Sequence, residues 1–194
     1  RLASDLEEFL EKGFEAASVR SIAARAGMSA AGLYRHYANK EAMFEDLVQP
    51  LIREMDAWTQ HHKEQSYERM QQGEEGKESL LGESMIDLIR KVVYPQKDVF
   101  QVLMKGAAGS RYEDFMHRYV EVQQKEMTQA LDYMREHGYP VQEISKEELH
   151  MLLSAYTAAI FEPVLHDYPE EQMNHCLDMA SRFFLPGWKE IMGI

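Results

Sequence analysis

Arg20, Arg25, Arg35 and Lys40 fall within residues 18–40, a stretch with no Asp or Glu, although the 194-residue chain carries 33 acids against 21 Lys plus Arg, a formal net charge of -12. Guanidinium and ammonium groups set apart from acids in this way suit phosphates, whose charge they neutralise. Ser18, Ser29, Tyr34, His36 and Asn39 add hydrogen-bonding groups to the same stretch. This is the chemistry of one nucleic-acid-facing element on an anionic body.

A second pattern points to other chemistry. Asp114 with His117, and Glu147 with His150, place carboxylate and imidazole three residues apart, the spacing used by di-metal carboxylate bundles. Such a site also needs a Glu from each of two further helices, so a di-metal enzyme is kept as a distant alternative. There is no G-x-S-x-G, Walker loop or H-E-x-x-H, and Cys176 has no partner for an internal disulfide. Cys176 reads as a small buried residue on a helix, in keeping with a reducing cytoplasm. No catalytic residue, metal ligand or cofactor is therefore assigned, and the expectation is a cytoplasmic protein that is not an enzyme. Residues 151–161 are too short a charge-free run for a membrane span, and no signal peptide is visible.

The elements that position these groups read as all-helical, about nine helices with no strand pattern. Leu2, Leu6, Phe9 and Leu10 give a first helix one apolar face, with Gly13 as its stop. Ser18 caps a second helix whose inward side is Val19, Ile22, Ala23 and Ala26, ended by Gly27; Ser29 caps a third, with Leu33 and Tyr37 inward; Asn39 caps a fourth. The fourth carries an apolar stripe from Met43 to Trp58 through Pro50, where a kink is expected. Residues 71–79 form a polar loop. Helices are expected at about 80–94, 98–105 and 112–137. Ser145 and Glu148 form a capping box for a helix to about 166, and Pro169 opens the last.

Two short helices joined by a Gly-containing turn have the layout of a helix-turn-helix, which lays its second helix in the DNA major groove. With Leu33 and Tyr37 inward, Ala30, Ala31, Tyr34, Arg35 and His36 face outward. Arg20 can reach a base edge or a phosphate, Lys40 a phosphate, and the helix start capped by Asn39 adds a phosphate site.

The segments from Gly13 to Ala23, Ala26 to Ser29 and Leu33 to Met43 closely resemble the N-terminal domain of the TetR family of bacterial transcriptional regulators. The resemblance covers about the first 48 residues, with a weaker echo from Arg182 to Trp188. It implies a three-helix DNA-binding domain over 1–48 and a helical ligand-binding and dimerisation domain over 49–194. It also implies a homodimer, joined through the last two helices, that binds a palindromic double-stranded operator and is released by a small-molecule effector. The family's DNA contacts fall on Ser18, Arg20, Ser29, Tyr34, Arg35, His36 and Lys40. Ala30, Ala31 and Gly32 depart from the polar residues usual at the start of the recognition helix. Ala can still pack on a thymine methyl, and Gly32 allows close backbone approach. Ser21 replaces the acid that commonly completes the capping box of the second helix, and Asp5 stands where a small apolar residue is usual.

Residues 50–194 hold 11 of the 13 Met, 8 of the 10 Tyr and 5 of the 8 Phe. Phe100, Met104, Phe115, Met116, Tyr119, Met151, Tyr156 and Phe161, at helical spacing, are the candidates for an adaptable apolar pocket that holds a lipophilic effector. Core packing explains the same spacing. A helix-turn-helix protein with no small-molecule effector is the second functional expectation.

Overall fold

The computed structural model describes residues 2–71 and 83–193, so most of the polar run at 71–79 lies outside the described residues. Within them the elements are α1 (Leu2–Ala16), α2 (Val19–Arg25), α3 (Ala30–Leu33), α4 (Lys40–Gln71), α5 (Glu83–Leu88), α6 (Lys97–Lys105), α7 (Phe115–Glu136), α8 (Lys146–Leu165) and α9 (Glu170–Met192), with no strand. A π turn at Ile89–Val93 and a 3-10 turn at Tyr94–Gln96 carry α5 into α6. The fold is the all-helical one expected.

Local chemistry sets most boundaries. Gly13 is kinked out of the helical conformation at φ 69° and ψ 171°, which turns Phe14 back toward α6. Gly27 takes φ 66° after α2. The Gly27 amide then donates to the Ala24 carbonyl at 3.1 Å and the Met28 amide to the Ala23 carbonyl at 2.8 Å, closing the helix with both bonds of a Schellman motif. Ser29 Oγ accepts from the Gly32 amide at 3.0 Å, and Asn39 Oδ1 from the Ala42 amide at 2.8 Å. Both bonds of the Ser145–Glu148 capping box are made, at 2.8 and 3.2 Å. Pro50 lies inside α4, which stays helical over its 32 residues.

Apolar side chains form two clusters. The smaller joins Phe9, Phe14, Ile22, Leu33, Phe44 and Val48 to Val102 and Leu103 of α6. Phe44 meets Phe9 and Phe14 edge-on at 5.1 and 5.2 Å. The larger begins at Leu51 on α4 and gathers Phe100, Tyr119, Tyr156, Phe161, Leu177 and Trp188. Phe100 of α6 joins the larger cluster while Val102 and Leu103 join the smaller, so this one helix serves both clusters.

The loop after α6 fastens that junction. The Phe14 amide donates to the Gly106 carbonyl at 2.6 Å. A Cβ on Gly106 would sit 2.9 Å from the Val102 carbonyl oxygen and 3.4 Å from that of Phe9, so only glycine fits without a shift. Along α4, Glu41 accepts from the Arg111 amide at 3.0 Å, Glu45 pairs with the Arg111 guanidinium, and Gln49 donates to the Tyr112 hydroxyl at 2.8 Å.

Candidate nucleic-acid interface

The α2–α3 pair stands on the small cluster through Ile22, Ala23 and Leu33, all buried. This leaves Arg20, Ala31, Tyr34, Arg35 and His36 exposed, with Ala30 and Gly32 half-buried. Among the described residues, no side-chain hydrogen bond or ion pair ties down Arg20, Tyr34, Arg35 or His36. Tyr34 alone is 52 % exposed, high for an aromatic side chain. The α3 helix is a single turn, and residues 34–36 lie in the turns that continue it. The His36 and Tyr37 amides still bond the Leu33 carbonyl, at 3.0 and 3.2 Å, so the outward set is held rigidly. Tyr37 is half-buried and donates from its hydroxyl to Asp46 at 2.7 Å.

Three basic or capping residues of the stretch are differently employed. The Lys40 ammonium donates to the carbonyls of Phe14, Glu15 and Ala17 at 2.6, 3.1 and 3.2 Å and lies 4.5 Å from the Phe14 ring centre. It closes the end of α1, where unsatisfied carbonyls collect. Arg25 turns away from any groove to the acids of α1: Glu11 at 3.1 Å, Glu8 at 3.3 Å and Glu7 at 3.4 Å. The Ser18 side chain makes no capping bond to α2, although it occupies the cap position.

The group that the sequence did not single out is Glu8. It is fully buried on α1 and accepts from Lys12 Nζ at 2.8 Å, Ser21 Oγ at 2.7 Å and the Ser18 amide at 3.2 Å. Burial works against its charge, but the hydrogen bonds from Lys12, Ser21 and the Ser18 amide outweigh that and hold the carboxyl down at about 2. The face of α1 is thereby rotated from the expected one: Asp5, Glu8 and Phe9 are buried, whereas Leu10 is 40 % exposed. The signal available in the sequence was the absence of an acid at Ser21 beside an excess of acids at Glu7, Glu8 and Glu11.

Beyond α4, the eight aromatic and Met candidates part company. Phe100 and Phe161 meet edge-on at 4.9 Å, Tyr119 lies 5.6 Å from Phe161, and Phe115 stacks on Tyr119 at 6.0 Å. Burial raises the Tyr119 hydroxyl far above the usual tyrosine range. Phe115 and Tyr119 also floor a cleft of about 340 Å³ between α4 and α7, edged by Asp56, Lys63 and Glu126. Met116 lines a different groove with His117 and His150. Tyr156 faces Phe184 and Trp188 of α9, Met104 is half-buried against the larger cluster, and Met151 is 60 % exposed. The His117 and His150 rings lie 6.0 Å apart, but among the described residues no three His, Cys, Asp or Glu side chains converge as a metal site would require.

Short caps, a Schellman turn and an outward cationic ridge define a helix-turn-helix DNA-binding domain on an all-helical body. Residues 3–47 match the model of the tetR family of bacterial regulatory proteins, so this domain belongs to the TetR family. The whole chain is similar in fold to a protein of Mesorhizobium loti MAFF303099 assigned to the TetR-family transcriptional regulators, with TM-score 0.55 and 15 % identity over 96 % of this chain and 93 % of that one. A transcriptional regulator from Rhodococcus sp. Rha1 aligns with TM-score 0.48 and 20 % identity over 96 % and 94 %. No curated protein sequence matches the chain. Among the described residues, no helix is long and apolar enough to cross a membrane.

Proposed function

We propose that the protein is a ligand-responsive transcriptional repressor that binds a palindromic operator as a homodimer. The observation that carries this is the ridge of Arg20, Tyr34, Arg35 and His36, exposed and without intramolecular partners, on a domain of the TetR family. Donors without partners in the free protein can exchange water for base edges and phosphates at no cost in internal bonds. Ala30 and Ala31 supply apolar surface for thymine methyls.

Dimerisation through α8 and α9 is supported by Met151, Met179 and Phe183, which are 60, 51 and 76 % exposed on those two helices. Pairing them in a four-helix interface removes apolar surface from water and sets two recognition segments about 34–36 Å apart, one turn of DNA. A lipophilic effector held near Phe115 and Tyr119 would act on α4 and α7, which wall the same cleft. The junction of α6 and residues 106–114 with α1 and α4 supplies the route from there to the DNA-binding domain. Release requires that the effector prefer the arrangement whose half-site spacing misfits the operator.

Close packing of Phe100, Tyr119 and Phe161 also suits the second reading, a DNA-binding protein without an effector. Thermal-shift screening with lipophilic compounds, followed by competition against operator, separates the two. Operator binding is tested by a gel shift on DNA flanking the gene: a discrete complex with a palindromic segment supports the proposal, and equal retardation of unrelated duplexes overturns it.

A further inference from the structure

The capping of α2 raises a separate question. Its cap residue, Ser18, makes no side-chain bond, and its third position, Ser21, carries no carboxylate to return to the Ser18 amide. In a capping box both bonds would come from within the helix. Here Glu8 supplies the carboxylate from α1: it takes the Ser18 amide at 3.2 Å and the Ser21 hydroxyl at 2.7 Å, while Arg25 Nε at 3.3 Å ties the other end of α2 to the same oxygen that Ser21 binds. One buried carboxylate thus grips α2 at its first turn and its last. Because α3 follows α2 through the rigid Gly27 turn, the position of Glu8 fixes the direction of the Arg35–His36 ridge.

Resting on the reading of residues 18–40 as a DNA-binding element, we infer that Glu8 is the positioning residue of that element. It is a capping carboxylate moved from the third position of α2 to the neighbouring helix. Glu8 touches no DNA; it orients the residues that do, and it keeps Arg25 from contributing to non-specific phosphate binding.

The rearrangement is reversible by design. Glu8→Gln keeps the shape but removes the charge; it should lower affinity for a duplex selected by the wild-type protein from a random pool by about tenfold, the loss expected for one charge-assisted contact. Affinity for a scrambled duplex should be unchanged or raised, since Arg25 is freed. Adding Ser21→Glu to Glu8→Gln restores a capping box within α2 and should recover most of the lost affinity. Ser21→Glu alone should weaken binding, because two carboxylates then compete for one amide. Opposite signs for the same substitution in the two backgrounds are the signature that a merely stabilising role would not give. A Glu8→Gln protein that is folded and selects the operator as the wild type does overturns the inference, as does Ser21→Glu acting alike in both backgrounds. Should Glu8→Gln fail to fold, recovery of folding and binding in the double variant supports it, and failure of the double variant overturns it. If the wild-type protein selects no duplex at all, the DNA-binding reading fails instead; the Ser18 amide resonance in ¹⁵N spectra still judges Glu8, moving upfield on Glu8→Gln if the bond exists and staying in place if it does not.

Discussion

At the scale of single residues, charge type did not decide role; the partner did. Arg25 and Lys40 read in the sequence like Arg20 and Arg35, yet the first is held by three acids of α1 and the second by three carbonyls. Lys40→Ala should therefore lower the melting temperature of the protein as well as its affinity for all duplexes, whereas Tyr34→Ala with His36→Ala should leave melting unchanged and lower operator affinity alone. Calorimetry beside fluorescence anisotropy checks both. Glu8 adds a pH dependence. Its carboxyl is held below the ordinary value in the folded protein, so the stability it contributes is complete above about pH 4.5 and is lost as pH falls through about 2. Denaturant titrations between pH 5 and 2 should show wild-type stability falling more steeply than that of Glu8→Gln; parallel curves would contradict the assignment. Apart from the Lys12–Glu8 pair, four positions apart on α1, none of these partnerships was legible in the sequence, because each joins residues 10 or more positions apart.

At the scale of elements, what is encoded locally was legible. The Ser29, Asn39 and Ser145 caps and the Gly27 turn use neighbours within a few positions, and each lies where the sequence put it. Ser145→Ala should cost about 1 kcal/mol of stability, measured by denaturant midpoint. The double service of α6 was not legible, since the same apolar residues at 3.6-residue spacing suit one buried face or two. Gly106 is its mechanical test. Gly106→Ala forces the junction apart and should cost about 1–3 kcal/mol, with loss of operator affinity beyond the loss of stability if α6 conveys the position of the DNA-binding helices. Operator affinity that survives in the folded variant would remove α6 from the transmission route.

At the scale of the whole molecule, a body rich in acid carries a small cationic ridge, and the two are joined along α4 and α6. Long-range repulsion from the body makes non-specific adsorption to DNA weak, so binding rests on the ridge and, in the proposed dimer, on two copies of it presented together. Phe183→Glu on α9 should yield monomers by sedimentation and lower operator affinity by orders of magnitude, without altering the fold of the monomer. The most direct measurement is titration of the wild-type protein and of the Tyr34→Ala, His36→Ala variant against a selected palindromic duplex and its scrambled counterpart, across a range of salt concentrations. The proposal predicts that the wild type prefers the palindrome by about 1,000-fold or more, as specific DNA-binding proteins do, and that the variant keeps the salt slope but loses most of the preference. Equal affinity of the wild-type protein for both duplexes at every salt concentration would contradict it.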